Sequence, residues 1–121
     1  FIFSSLTKLG YDVLFHKKGL IDEKFEIDLC VPDLRTVIEI DGPAHFFPIW
    51  GEEALQKNIR SDAQKSGLTL SSGFVMIRVK NTSKSLSQKS QRECLDKIVE
   101  TLQSIEKKFP AKKDRYIEFE V

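Results

Sequence analysis

Cysteine is scarce in this chain of 121 residues, which has two, Cys30 and Cys94. Neither their number nor their spacing suits a zinc site or a disulfide framework, so the default for both is a reduced, buried thiol in a cytoplasmic-type compartment. Histidine is equally scarce, at two. No apolar run approaches the roughly 20 residues that a membrane span requires, and no charged-then-apolar leader opens the chain, so no membrane partner is expected. An excess of one sign of charge is missing too. Lys and Arg number 19 against 18 Asp and Glu, a net +1, which gives no bulk polyanion signal and makes any nucleic-acid surface a local one. There is no internal repeat and no low-complexity segment beyond a Ser- and Lys-rich loop over 81–90.

What remains is an ordinary globular composition, 40% hydrophobic, in a length that makes one domain over 1–121 with room for a core. The chain opens on Phe1, inside what reads as the end of a helix. The expectation is a fragment of a longer chain, with a separate DNA-recognition region upstream.

The most informative stretch is Phe25 to Phe46, FEIDLCVPDLRTVIEIDGPAHF. Two apolar, β-branched runs flank a turn at Pro32-Asp33-Leu34-Arg35, which predicts a hairpin. A turn symmetric about Asp33 and Leu34 pairs Asp28 with Glu39, Glu26 with Asp41, Ile27 with Ile40 and Leu29 with Ile38. Ile27, Leu29, Val31, Ile38 and Ile40 then form a core face. The opposite face gathers carboxylates, with facing Cβ atoms about 5 Å apart, where like charges destabilise the pair. A divalent cation relieves that repulsion, since Mg²⁺ takes hard oxygen ligands and commonly one or two carboxylates. A solvated polar face is the bland alternative. Gly42-Pro43 ends the second strand at once and brings His45 back over the same edge, where an imidazole suits proton transfer near neutral pH.

Elsewhere the pattern predicts a helix over 1–9 capped by Gly10, an extended run Tyr11 to Phe15, and a basic loop His16-Lys17-Lys18-Gly19. The aromatic stretch Phe46 to Gly51 reads as a lid packed on the core rather than a stacking platform for bases. Glu52 to Ser66 reads as a helix with Leu55, Ile59, Ala63 and Ser66 facing in, and with Asn58 and Asp62 four apart on its flank. Gln56, Lys57, Arg60 and Lys65 lie on its remaining surface as weak nucleic-acid contacts. Gly67 to Gly73 reads as a polar connection that includes at most a short helix tail. FVMIRV, Phe74 to Val79, is a central strand parallel to the one ending at Asp41. Gln91 to Lys108 is an amphipathic helix with Leu95, Ile98, Val99, Leu102 and Ile105 on one side. The alternating tail YIEFEV suits an edge strand, and a homodimer formed through it is one candidate partner. The whole is an α/β fold, a mixed sheet of about four or five strands with helices on both faces.

Asp28 on one strand with Glu39-Ile40-Asp41 on the next resembles the core of the PD-(D/E)XK nuclease superfamily. That resemblance implies a restriction-endonuclease-like core in which Asp28 and Glu39 hold a metal ion. Where the superfamily's Glu-x-Lys places a lysine, this chain has Asp41. The run Glu-x-Asp-Gly-x-x-His, followed by Asn58, Asp62 and Gly73-Phe74, is similar to the very-short-patch-repair (Vsr-like) endonuclease branch, and most similar to its phage homing endonucleases with a Glu-Asp-x-His-Asp signature. The similar positions span about Glu26 to Asn81.

The resemblance implies Mg²⁺-dependent hydrolysis of double-stranded DNA, with Mn²⁺ substituting, in a cytoplasmic or phage-infected host setting. Asp28 and Glu39 bind the ion, Asp41 binds a second ion or orients water, His45 is the general base, and Asp62 with Asn58 orients the site. Gln56 or Lys57 stands in for the missing lysine. A rival of a different class is the RAP domain, an RNA-binding module that is thought to share this fold and often carries a similar Asp-Gly-Pro-x-His-Phe run. A third reading, an interaction domain whose polar hairpin face meets a basic partner surface, predicts no metal binding.

Overall fold

The computed structural model describes residues 2–18, 26–41, 51–80 and 88–120. Helix α1 (Ile2–Lys8) leads into strand β1 (Leu14–Lys18), and β2 (Glu26–Val31) and β3 (Thr36–Asp41) follow as a hairpin. Helix α2 (Glu52–Ser71), strand β4 (Val75–Lys80), helix α3 (Gln88–Lys107) and strand β5 (Tyr116–Glu120) complete the order. The five strands form one mixed sheet in the order β1-β2-β3-β4-β5. β2 runs antiparallel to both β1 and β3, while β4 runs parallel to β3 and β5 runs parallel to β4. Each parallel step is bridged by a helix, as a parallel pair requires.

The hairpin turn matches expectation closely. Pro32–Leu34 makes one 3-10 turn, Arg35 takes the left-handed conformation at φ 45, and its N–H donates to the Pro32 carbonyl at 3.0 Å. Val31 then faces Thr36 and Leu29 faces Ile38, the predicted register.

The two sheet faces are both dry, and here the expectation of a purely acidic face fails. On one side Leu29, Val31, Ile38, Val75, Ile77 and Val79 meet Leu6 of α1 and Cys94, Ile98, Leu102 and Ile105 of α3. On the other, Cys30, Val37 and Met76 form a second cluster with Leu70 of α2 and Phe74 packed on it. Ile27 belongs to this second cluster rather than to the face of Leu29 and Val31. The β2-β3 ladder begins only at Leu29 opposite Ile38, so strict alternation does not extend back to Ile27. The carboxylates of the hairpin therefore sit beside an apolar floor and under a helix.

Two further boundaries and the buried face of α2 differ from the sequence reading. His16, Lys17 and Lys18 belong to β1, with Lys17 opposite Ile27, instead of forming a loop. Helix α2 continues through Gly67 to Ser71, because Gly73 at φ 86 closes it with a two-bond C-cap: Phe74 N–H to Thr69 O at 3.3 Å and Gly73 N–H to Leu70 O at 3.1 Å. Within α2, Ile59 is 46% exposed and Ala63 is exposed, while Leu55 and Thr69 are buried and Ser66 half-buried. Leu55 in the first half of α2 and Thr69 in the second thus anchor the helix on the sheet, with Lys65, Ser66 and Leu70 half-buried between and beyond them. No helix among the described residues is long and apolar enough to cross a membrane.

Candidate functional site

The far end of the hairpin from its turn is where the polar groups collect. The backbone N–H of Ile40 donates to Asp28 Oδ2 at 3.1 Å. A side chain thereby takes over a donor beyond the point where the β2-β3 ladder begins, and the Asp28 carboxylate is fixed across the strand gap, next to β3. Glu39 lies on the same face, 3% exposed, its carboxyl within hydrogen-bonding reach of Asp28.

Burial pushes the Glu39 carboxyl up to about 8, and the Asp28 charge and hydrogen bond push the same way, while Lys65 opposes them. Two carboxyls this close and largely shielded from water cannot both ionise cheaply, which is why the shift is upward despite Lys65. Glu39 Oε1 is buried and accepts no hydrogen bond, although Lys65 Nζ on α2 stands 3.3 Å away. The sequence pattern puts Lys65 on the outer surface of its helix. Instead its ammonium reaches the sheet and meets Glu39 on β3.

Asp41, 3% exposed, takes a different partner. Its Oδ2 lies 3.2 Å from Arg78 Nε on β4, and the Arg78 Nη2 donates to Ser66 Oγ of α2 at 3.1 Å. Arg78 is directly opposite Glu39 in the parallel register and is only 8% exposed. One guanidinium thus joins β3, β4 and α2 beside the carboxyl pair. The polar line continues to β5, where Lys80 Nζ sits 3.2 Å from Glu118 Oε1 and the Tyr116 hydroxyl donates to that same oxygen at 2.8 Å.

Among the predicted site residues, the structure brings Asp28 and Glu39 together and sets Asp41 against Arg78. No group of three His, Cys, Asp or Glu with the makings of a metal site is present among the described residues. His45 and the aromatic stretch Phe46 to Trp50 lie outside the described residues, and so do the side chains of Glu26, Asn58 and Asp62, although α2 carries the last two. Gln56, Lys57 and Arg60 are exposed on the first half of α2 and border an open depression of about 490 Å³ with Glu52 and Glu53; neither Gln56 nor Lys57 takes the place of the missing lysine beside Glu39. Gln56 donates instead to Glu52 at 3.2 Å.

Arg78 is the residue the sequence reading passes over. Its signal is present: a lone charge in the apolar run FVMIRV must find a buried partner.

No protein-family model, no curated protein and no solved structure matches this chain.

Proposed function

We propose that this chain is a metal-dependent endonuclease of double-stranded DNA, restriction-endonuclease-like in its core and similar to the very-short-patch-repair branch. The observation that carries this reading is the Asp28-Glu39 pair, in which a buried Glu39 meets a second carboxyl and holds its proton well above its usual range. A pair of carboxyls costs the fold stability unless it meets a cation, and retention of such a pair under a helix is explained by binding one.

The donor set fits Mg²⁺ or Mn²⁺: hard oxygens only, one of them, Glu39 Oε1, buried and accepting no hydrogen bond. Asp28 and Glu39 would hold the ion. Bound there, it would lower the pKa of a water and offset negative charge on a phosphate. Lys65 supplies the positive charge that the strand lacks: its ammonium favours ionisation of Glu39 and lies within one helical turn of Asp62 in sequence. Arg78 holds Asp41 and Ser66, so α2 stays over the sheet with Lys65 in place. His45 remains the candidate for taking the proton of the attacking water, and Asn58 and Asp62 remain orienting candidates by their spacing on α2.

A second reading, the non-catalytic RNA-binding module, is favoured by one observation: Glu39 and Asp41 already have cations beside them, Lys65 and Arg78. An acidic cluster that already has cations beside it needs no metal.

The deciding experiment is a time course on supercoiled and linear plasmid in Mg²⁺, Mn²⁺ or EDTA, comparing wild type with Asp28→Asn, Glu39→Gln and His45→Ala. Cleavage that needs metal and is lost in Asp28→Asn and Glu39→Gln supports the nuclease. No cleavage by wild type, with RNA binding that survives EDTA and Glu39→Gln, overturns it in favour of the module.

A further inference from the structure

The opposite end of the sheet carries a basic cluster that neither reading of the carboxyl site uses. Arg35, at the hairpin turn, and Arg115, just before β5, flank the start of β4: the Val75 N–H donates to Arg35 O and the Met76 N–H to Arg115 O, each at 2.8 Å. Both guanidiniums lie over the ring of Phe109, at 4.5 Å and 4.8 Å from its centre. Arg115 Nε is further fixed by the Pro110 carbonyl at 2.9 Å. On either side of Phe109 in the chain come Lys107 and Lys108 at the end of α3, and Lys112 and Lys113 in a 3-10 turn that leads to Arg115, all four exposed. None of these six residues is ion-paired to a carboxylate among the described residues. Asp114 is the one acidic residue in 107–115. In a chain of net charge +1 this is a local concentration of unneutralised charge.

We propose that this cluster is a second nucleic-acid surface that grips the phosphate backbone of duplex DNA without reading its sequence. Two arginine forks held over one ring are prearranged for bidentate contact with phosphate oxygens, and the lysines around them add point charges. Phe109 packs on the core cluster and is covered by the two guanidiniums. It offers a base no free face, so stacking, on which single-strand binding depends, is not available within this group. The surface is also separate from the carboxyl pair, since Arg35 precedes the first residue of β3 and Glu39 lies four residues further on, roughly 13 Å along the strand.

The test is anisotropy of a labelled duplex of arbitrary sequence in EDTA, across roughly 50 to 200 mM salt. Lys112→Gln/Lys113→Gln is compared with a charge-matched double variant at the far end of α3, Lys89→Gln/Arg92→Gln. The patch variant is expected to bind about tenfold more weakly, with the slope of log K against log salt reduced by about 1.8 because two phosphates are no longer neutralised. Arg35→Lys, which keeps the charge and removes the fork, is expected to weaken binding with little change in slope. Equal effects of the two double variants, single strand bound as tightly as duplex, or anionic vesicles bound in preference to duplex would overturn the proposal. Because EDTA removes the proposed cofactor, failure here is distinguishable from failure of the nuclease reading.

Discussion

Lys65 and Glu39 face each other across the gap between α2 and β3, Nζ to Oε1 at 3.3 Å, both largely shielded from water. A pair this close would ordinarily hold the carboxylate ionised. Here it does not, because burial and the Asp28 carboxyl together outweigh the ammonium and Glu39 titrates at about 8. The lysine therefore moderates a carboxyl pair rather than neutralising it, which keeps Glu39 close to its change of state near neutral pH.

Stability should fall as pH rises. Glu39 binds its proton more tightly when folded, about 8 against 4.5 for the ordinary carboxyl. Its contribution is therefore complete below pH 4.5 and lost progressively as pH climbs to 8. At about 1.4 kcal/mol per pH unit the loss amounts to a few kcal/mol. Urea melts in EDTA at pH 5, 6.5 and 8 measure it, and Glu39→Gln should flatten the decline and exceed wild type at the alkaline end. A wild-type midpoint constant over that range would sink the assignment.

Asp28→Asn and Lys65→Met should move the Glu39 titration in opposite directions. Asp28 raises it by charge and by hydrogen bond, so the amide lowers it. Lys65 lowers it, so an uncharged stem of similar length raises it further. Carboxyl carbon NMR shifts of Glu39 against pH read both. If the two variants shift it the same way, the pair is not coupled as described.

Arg78→Ala should be among the most damaging single substitutions. It strips Asp41, 3% exposed, of the cation 3.2 Å away and removes the tie to Ser66. Breaking a buried pair from one side costs about 3–5 kcal/mol, much of it the stranded charge. Asp41→Asn combined with Arg78→Met should recover a good part of that loss, since neither charge is then left behind. Thermal melts of the single and double variants check the coupling; additive losses would show that the two side chains act independently.

The hairpin is legible in the sequence because its signals are local: Pro32 and Asp33 set the turn, alternation sets the register, and Leu29 duly faces Ile38. The order of β3, α2, β4, α3 and β5 is legible for the same reason, through Val- and Ile-rich runs separated by helical spacing. The end of α2 is not. Serine and glycine at 67–73 read as a connection with a short helix tail at most, until a C-cap at Gly73 and buried Thr69 hold residues through Ser71 helical. Lys65 is hidden for another reason, since helical spacing does not tell that a residue flanking the apolar stripe meets a buried carboxyl on the sheet. Arg78 is hidden differently. Period-2 patterning marks which face a residue takes but not which residue of the neighbouring strand it meets, and the parallel register against Glu39 is a tertiary fact.

The last expectation concerns metal, and it separates the two readings of the site without requiring cleavage. A ligand that binds only the folded chain raises stability by RT ln(1 + [L]/Kd), about 2.7 kcal/mol at a hundredfold excess over Kd. Mg²⁺ or Mn²⁺ should therefore recover at pH 8 most of what the wild type loses there, because the ion takes the place of the missing proton between Asp28 and Glu39. At pH 5 the same addition should do less, since the proton and the ion compete for one pair of carboxyls. Asp28→Asn and Glu39→Gln should each abolish the response while Lys65→Met only alters its pH dependence. Melts with and without metal at the two pH values decide it. An increase at pH 8 confined to chains with both carboxyls places the ion on this pair. No increase in wild type leaves Lys65 and Arg78 as the cations these carboxylates meet, which is what the RNA-binding module requires.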